Sequence, residues 1–184
     1  METQRLFVAL ALPAVVRSEL AGVMEGVEGI RWSPPGSLHL TLRFIGDCGA
    51  AKREALAGAL GRVRVEPFIL PVEGLGVFPS RGPAKVVWAG LGGAHRRLFQ
   101  LRKQVDEALL SVDLTLDVRH CQPHITLGRL GEGHEPKELA KYLARHAEFE
   151  APPFRADEFH LMSSEPSADA TPRYSSVRRF ALAK

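Results

Sequence analysis

The chain has 184 residues, 45% hydrophobic and 24% charged, a composition that excludes a disordered or fibrous protein. That length suits one large domain or two small lobes that bury roughly two thirds of their surface without staples. The formal charge of +3 is compatible with a polyanionic partner but far from that of a nucleic-acid coat protein.

Cys48 and Cys121 are too few for a disulfide framework, so a reducing, cytoplasmic setting is expected. The longest apolar run, residues 6–16, contains Pro13 and is too short to span a bilayer. RSEL follows it where a signal peptide would need small residues, so neither membrane association nor export is expected.

In chain order, the alternating RLFVALAL at 5–12 predicts a strand, and Pro13 opens an amphipathic helix through about Met24. SPPG at 33–36 is a turn, HLTLRFIG at 39–46 a second strand, and residues 50–63 a helix. FILPVEGLGVFP at 68–79 reads as a strand broken by turn residues, SRGPA at 80–84 as a lobe junction, and KVVWAGL at 85–91 as strand again. The longest helix is expected at 95–112, with Leu98, Leu101, Val105 and Leu109 on one stripe. Beyond it come extended LTLDVRH at 114–120, a strand HITLGRL at 124–130 and a short helix at 135–147. FRADEFHLMSSE at 154–165 and YSSVRRFALA at 174–183 read as paired strands. Strands and helices mix without strict alternation, so the class is α+β, and the order strand, helix, His-x-Thr strand, helix, strands occurs once before residue 80 and once after it. A single domain of two pseudo-symmetric lobes over residues 1–184 is expected.

The motifs His39-Leu40-Thr41 and His124-Ile125-Thr126 carry the chemistry. On a strand, side chains alternate faces, so each motif presents an imidazole and a hydroxyl on one side and an apolar residue on the other. One copy is an unremarkable amphipathic strand, in which threonine is favoured. Two copies in equivalent settings describe a cleft suited to phosphodiester chemistry without a covalent intermediate. One imidazole takes a proton from the attacking group, the other protonates the departing oxygen, and the hydroxyls hold the phosphate oxygens.

HLTLRFIG and PHITLGR resemble the paired signatures of the two-histidine phosphoesterase superfamily, and RLFVALALP and VVWAGL resemble its RNA 2′,3′-cyclic phosphodiesterases, historically named 2′-5′ RNA ligases. The resemblance implies a bilobal fold of antiparallel-rich sheets around a central cleft. It also implies hydrolysis of RNA 2′,3′-cyclic phosphate ends, tRNA fragments among them, to 2′-phosphomonoesters, with no metal and no nucleotide cofactor. Ligation would be the same chemistry reversed. By motif position His39 would be the proton donor and His124 the acceptor, with Thr41 and Thr126 on the phosphate. Two other readings stand beside it: a phosphodiesterase for a small cyclic nucleotide or ADP-ribose cyclic phosphate, and a non-catalytic module that only binds RNA ends.

Two arginines compete for the phosphate. Family position favours Arg129; strand parity favours Arg43, which shares a face with His39 and Thr41, whereas Arg129 needs a break at Gly128. Phe7 and Trp88, on predicted strands, could stack a terminal base, but core packing is the expected role of both; the resemblance makes Phe7 the better candidate for cleft lining, with Tyr174 similar. A basic cluster of Arg96, Arg97, Arg102 and Lys103 is explained by a solvated helix face or by RNA guidance. His120 and His124 would stand about 13 Å apart on an extended segment, beyond one ion's reach, and Pro123 disfavours a helix, so no metal site is expected there. His95, His134, His146 and His160 have no partner at recognisable spacing. The default oligomeric state is a monomer.

Overall fold

In the computed structural model, which describes residues 3–93, 95–116, 122–131, 136–167 and 172–184, the chain runs twice through one order of elements. The first pass is β1 (Gln4–Ala11), α1 (Ala14–Val23), a short β2 (Ile30–Trp32), β3 (His39–Cys48), α2 (Ala50–Leu60), β4 (Phe68–Glu73) and β5 (Leu75–Phe78). The second is β6 (Val86–Ala89), α3 (Arg96–Leu110), β7 (Ile125–Leu130), α4 (Leu139–Arg145), β8 (Glu150–Ala156) and β9 (Glu158–Glu165), after which β10 (Arg173–Ala181) closes the chain.

The strands order as β10-β9-β1-β3-β7-β6-β5, with β2 added beside β7, and neighbours pair antiparallel. This is the α+β, two-lobed architecture that the repeated order implied. One lobe is β10, β9, β1 and β3; the other is β7, β6, β5 and β2. Each repeat therefore gives its last strand to the other lobe: β5 ends the first pass but pairs with β6, and β9 ends the second but pairs with β1. A separate ribbon joins β4 from the first pass to β8 from the second.

Two sequence expectations are corrected here. SRGPA at 80–84 is not a junction between lobes but the loop of the β5–β6 hairpin, closed by Lys85 N–H donating to Phe78 O at 2.7 Å. Residues 154–165 are not one strand: the chain leaves the β4–β8 ribbon at Ala156 and enters the large sheet at Glu158, and only β9 pairs with β10. Asp157 O at this break accepts from Leu182 N–H at 2.7 Å. An apolar run carries no mark of which sheet it joins, so both errors come from partner choice rather than from local conformation. β2, three residues long, went unpredicted, and residues 114–116 have no regular structure while 117–120 lie outside the described residues.

The core lies on one face of the sheet. Leu6, Val8 and Leu10 of β1 and Leu40 and Leu42 of β3 meet Val16 and Leu20 of α1, Leu56 and Leu60 of α2, and the predicted α3 stripe of Leu98, Leu101, Val105 and Leu109. Spacings of three and four residues place that stripe on one side of the helix. A smaller cluster packs Ile30, Val87 and Leu130 against Leu139 and Tyr142 of α4. No helix among the described residues is long and apolar enough to cross a membrane.

Gly128 is fixed by this packing. A Cβ there would lie 2.6 Å from Ile30 Cγ2 and 2.9 Å from Trp32 Cε3, so β2 can cover β7 only because the position is bare. Gly128→Ala is expected to destabilise the fold by about 1–3 kcal/mol through overpacking. Urea denaturation reads this directly, and an unchanged midpoint would mean that β2 gives way at no cost.

Candidate active site

β3 and β7 touch at one register pair, Leu40 opposite Ile125. These are the middle residues of the two motifs, and both are fully buried. Antiparallel counting from that pair sets His39 across from Thr126 and Thr41 across from His124. The apolar residues pair toward the core, so all four polar side chains are gathered on the other face. The two histidines occupy a diagonal of this crossing, a relationship that sets residues about 7–8 Å apart, with their Cβ atoms somewhat closer.

Both imidazoles are held in the same way. His39 Nδ1 lies 2.7 Å from Ser37 O, and His124 Nδ1 lies 2.7 Å from Gln122 O, in each case the carbonyl two residues earlier. A carbonyl only accepts, so Nδ1 carries the hydrogen in both rings and Nε2 is left to exchange a proton. Burial lowers the pKa of both below 6.5, against the opposing pull of the carbonyl bond. The charge of His124 adds to the lowering at His39, and that of Arg129 to the lowering at His124.

A cleft of about 430 Å³ opens on this face, lined by His39, Thr41, Thr126 and Arg129 together with Arg5, Phe7, Phe44 and Tyr174. The His124 ring is not among the residues lining this cavity; it meets Phe78 in a T-shaped contact at a centroid distance of 4.9 Å.

The two arginines are separated by a pair of matched bulges. On β3, Ala9 pairs with Thr41 but Val8 with Arg43, so Leu42 is the extra residue. On β7, Trp88 pairs with Thr126 but Val87 with Gly128, so Leu127 is extra. A bulge reverses the alternation of faces beyond it. Arg129 is thereby returned to the cleft face, and the break it required lies at Leu127, beside Gly128. Arg43 is turned away from it. Its Nε and Nη2 donate to Asp106 Oδ1 at 2.7 Å and Oδ2 at 2.5 Å, tying β3 to α3. The parity argument for Arg43 as a phosphate contact is therefore overturned, because it assumed an unbroken strand. Phe44 takes the place on β3 that Arg129 takes on β7.

Phe7 does line the cleft, yet it is only 3% exposed. It lies under the His39 ring at 4.9 Å and against Tyr174 at 5.3 Å, so it supports the histidine instead of presenting a face. The exposed aromatic is Phe44, 68% accessible and missed from sequence because parity put it on the core side. On the other lobe Trp88 stacks on Phe78 at 5.1 Å and lies across Gly76, where a Cβ would be 2.3 Å from the indole. Its buried Nε1 has no partner among the described residues.

The remaining histidines stay outside the cleft's machinery. His160 bonds Ser176 Oγ and Glu158 Oε1, each at 3.0 Å, His95 reaches Leu91 O, and His146 packs on Tyr142. His120, Cys121 and His134 lie outside the described residues, among which no group of three or more His, Cys, Asp or Glu is arranged to hold a metal ion. In the helix cluster Arg97 pairs with Glu66 and Lys103 with Glu107.

Known proteins resemble this chain in sequence and in fold. The family model of LigT like phosphoesterases matches residues 10–88 and 92–172. The RNA 2′,3′-cyclic phosphodiesterase of Archaeoglobus fulgidus is 33% identical over 129 residues, 68% of this chain and 72% of that one. The RNA 2′,3′-cyclic phosphodiesterase of Escherichia coli is 34% identical over 131 residues, 70% and 73% of the two chains. The crystal structure of E. coli LigT complexed with 3′-AMP superposes over the full length of both chains with a TM-score of 0.81 and 30% identity. A Thermus thermophilus structure at 24% identity shares the fold with a TM-score of 0.79 over 97% of each chain. With the family model spanning both motifs and both lobes, this chain belongs to the LigT-like phosphoesterase family.

Proposed function

We propose that this chain hydrolyses RNA 2′,3′-cyclic phosphate ends to 2′-phosphomonoesters by paired acid and base catalysis at His39 and His124, as one catalytic domain of two lobes. The observation that carries the reading is the matched pair of imidazoles, each pinned through Nδ1 to a backbone carbonyl and each left with Nε2 for a proton. The curated relatives named as RNA 2′,3′-cyclic phosphodiesterases support the substrate class.

In the reaction, water oxygen bonds to phosphorus as the bond from phosphorus to O3′ breaks. His124 Nε2 accepts the water proton, and His39 Nε2–H gives its proton to O3′. This division of roles follows motif position; burial first, and then the charge of Arg129, disfavour a cation on His124, in keeping with the neutral, accepting role. Thr41, Thr126 and Arg129 hold the non-bridging oxygens, where negative charge gathers in the transition state. Phe44, exposed at the cleft, offers a face to a terminal base.

The test is incubation of an oligonucleotide ending in a 2′,3′-cyclic phosphate with the protein in excess EDTA, reading the product as 2′- or 3′-phosphate. A 2′-phosphate is expected, with kcat lowered about 10²–10⁴-fold in His39→Ala and in His124→Ala. Tight binding of ends with no turnover by the unmodified protein would instead make the chain a binding module, and turnover abolished by EDTA would overturn the metal-independent mechanism.

The pH profile follows from the two lowered pKa values. The base must be neutral and the acid protonated, so kcat/KM is bell-shaped and reports the free enzyme. Both limbs lie below the positions that unperturbed histidines would give, and the optimum falls on the acid side of pH 6.5. Bound anionic phosphate favours the charged imidazoles, so the kcat profile shifts upward. An optimum in kcat/KM near pH 8 would contradict the assignment.

The two arginines separate by readout. Arg129→Ala is expected to lower kcat/KM about 10²–10³-fold while stability stays within about 0.5 kcal/mol. Arg43→Ala is expected to lower stability by about 1–3 kcal/mol, since it leaves Asp106 without its charged donor. Steady-state kinetics beside urea melts of both variants distinguishes them, and a kinetic defect confined to Arg43→Ala would reverse the roles.

A further inference from the structure

Beyond the catalytic group, β2 carries an arginine that neither the core nor the proposed reaction uses. Arg31 is exposed and stands directly opposite Arg129 in the β2–β7 register. Directly paired residues of an antiparallel ladder share a face, with Cα atoms about 4.5–5.5 Å apart. That face is the cleft face: Arg129 lines the cavity, and Ser33, two residues beyond Arg31, lines it too. The intervening Trp32 turns to the opposite side and packs over Gly128. Ser33 N–H donates to Leu127 O at 2.8 Å, which carries the β2 alignment right up to the bulge.

Two like charges set directly across a ladder are destabilising. Neither guanidinium has a carboxylate within ion-pair distance among the described residues. Arg43 and Arg97, by contrast, are each matched to an acid. A paired, uncompensated arginine couple at the rim of a phosphate cleft has the chemistry of an anion site: planar donors that engage phosphate oxygens in pairs. Arg31 stands level with Arg129 on the neighbouring strand but, unlike Arg129 and Ser33, is not among the residues that line the cavity holding His39, Thr41 and Thr126. The phosphate Arg31 meets is therefore not the one being opened.

We propose that Arg31 binds a second phosphate of the substrate, the phosphodiester that links the terminal nucleotide to the rest of the strand, and so makes the site prefer an RNA end over a free cyclic mononucleotide. This rests on the function proposed above. The residue was not singled out by the sequence, because its meaning comes only from its partner across the ladder.

The experiment measures kcat/KM for two substrates, a nucleoside 2′,3′-cyclic phosphate with no second phosphate and a short oligonucleotide ending in a cyclic phosphate. Both are run on the unmodified protein, Arg31→Ala and Arg31→Lys. The ratio of oligonucleotide to mononucleotide kcat/KM is expected to fall about tenfold or more in Arg31→Ala, within the range for a charged hydrogen bond. Arg31→Lys is expected to recover part of it, since it keeps the charge but not the paired donors. The logarithmic salt dependence on the oligonucleotide should lose about 0.7 of a unit of slope, the single-strand value for one phosphate contact. An unchanged ratio in Arg31→Ala overturns the inference, as does an equal fall on both substrates. Failure of the underlying function looks different: the unmodified protein would turn over neither substrate.

Discussion

Everything the site does depends on one contact, the pairing of Leu40 with Ile125 where β3 meets β7. The middle residue of each motif is apolar and fully buried, so the crossing is held by the same burial that holds the core. Because a strand alternates faces, fixing those two residues inward sends His39, Thr41, His124 and Thr126 outward together. The polar group of the proposed site is therefore assembled by hydrophobic packing on the reverse of the sheet. A slip of one residue at this pair would put the leucine and isoleucine in the cleft and the histidines in the core.

The exchange of strands between lobes braces that crossing. A single register pair would be a weak joint between two halves. The chain instead sends β5 into the second lobe and β9 into the first, and it joins β4 to β8 in a shared ribbon. Neither lobe is a contiguous piece of sequence, so the halves cannot part without breaking pairing in both. This is a physical basis for holding the two imidazoles in a fixed diagonal, which the proposed acid and base catalysis requires.

Symmetry ends where specificity begins. The bulges at Leu42 and Leu127 are equivalent, and both rotate the next residues by one face. They deliver different side chains to the cleft: Phe44 from β3 and Arg129 from β7. One lobe thus presents an aromatic side chain to the cleft and the other a cation. The residues turned away also differ in use, since Arg43 clamps α3 through Asp106 and the bare Gly128 admits β2. β2 then brings Arg31 alongside Arg129, so the polar end of the cleft extends along one edge only.

Sequence alone determined what local periodicity can carry. The strands at His39 and His124, the α3 stripe, the repeated order of elements and the pairing of HxTx motifs were all legible, because alternation and helical spacing are properties of neighbouring residues. The tertiary structure decided the rest. That Arg43 leaves the cleft, that Phe44 enters it, and that residues 154–165 divide between two sheets follow from which strand lies alongside and where the ladder slips. Bulges leave little trace in composition, since an extra residue on one strand exists only relative to its partner. For the same reason Phe7 was legible as lining but not as the support beneath His39, and Arg31 was not legible at all.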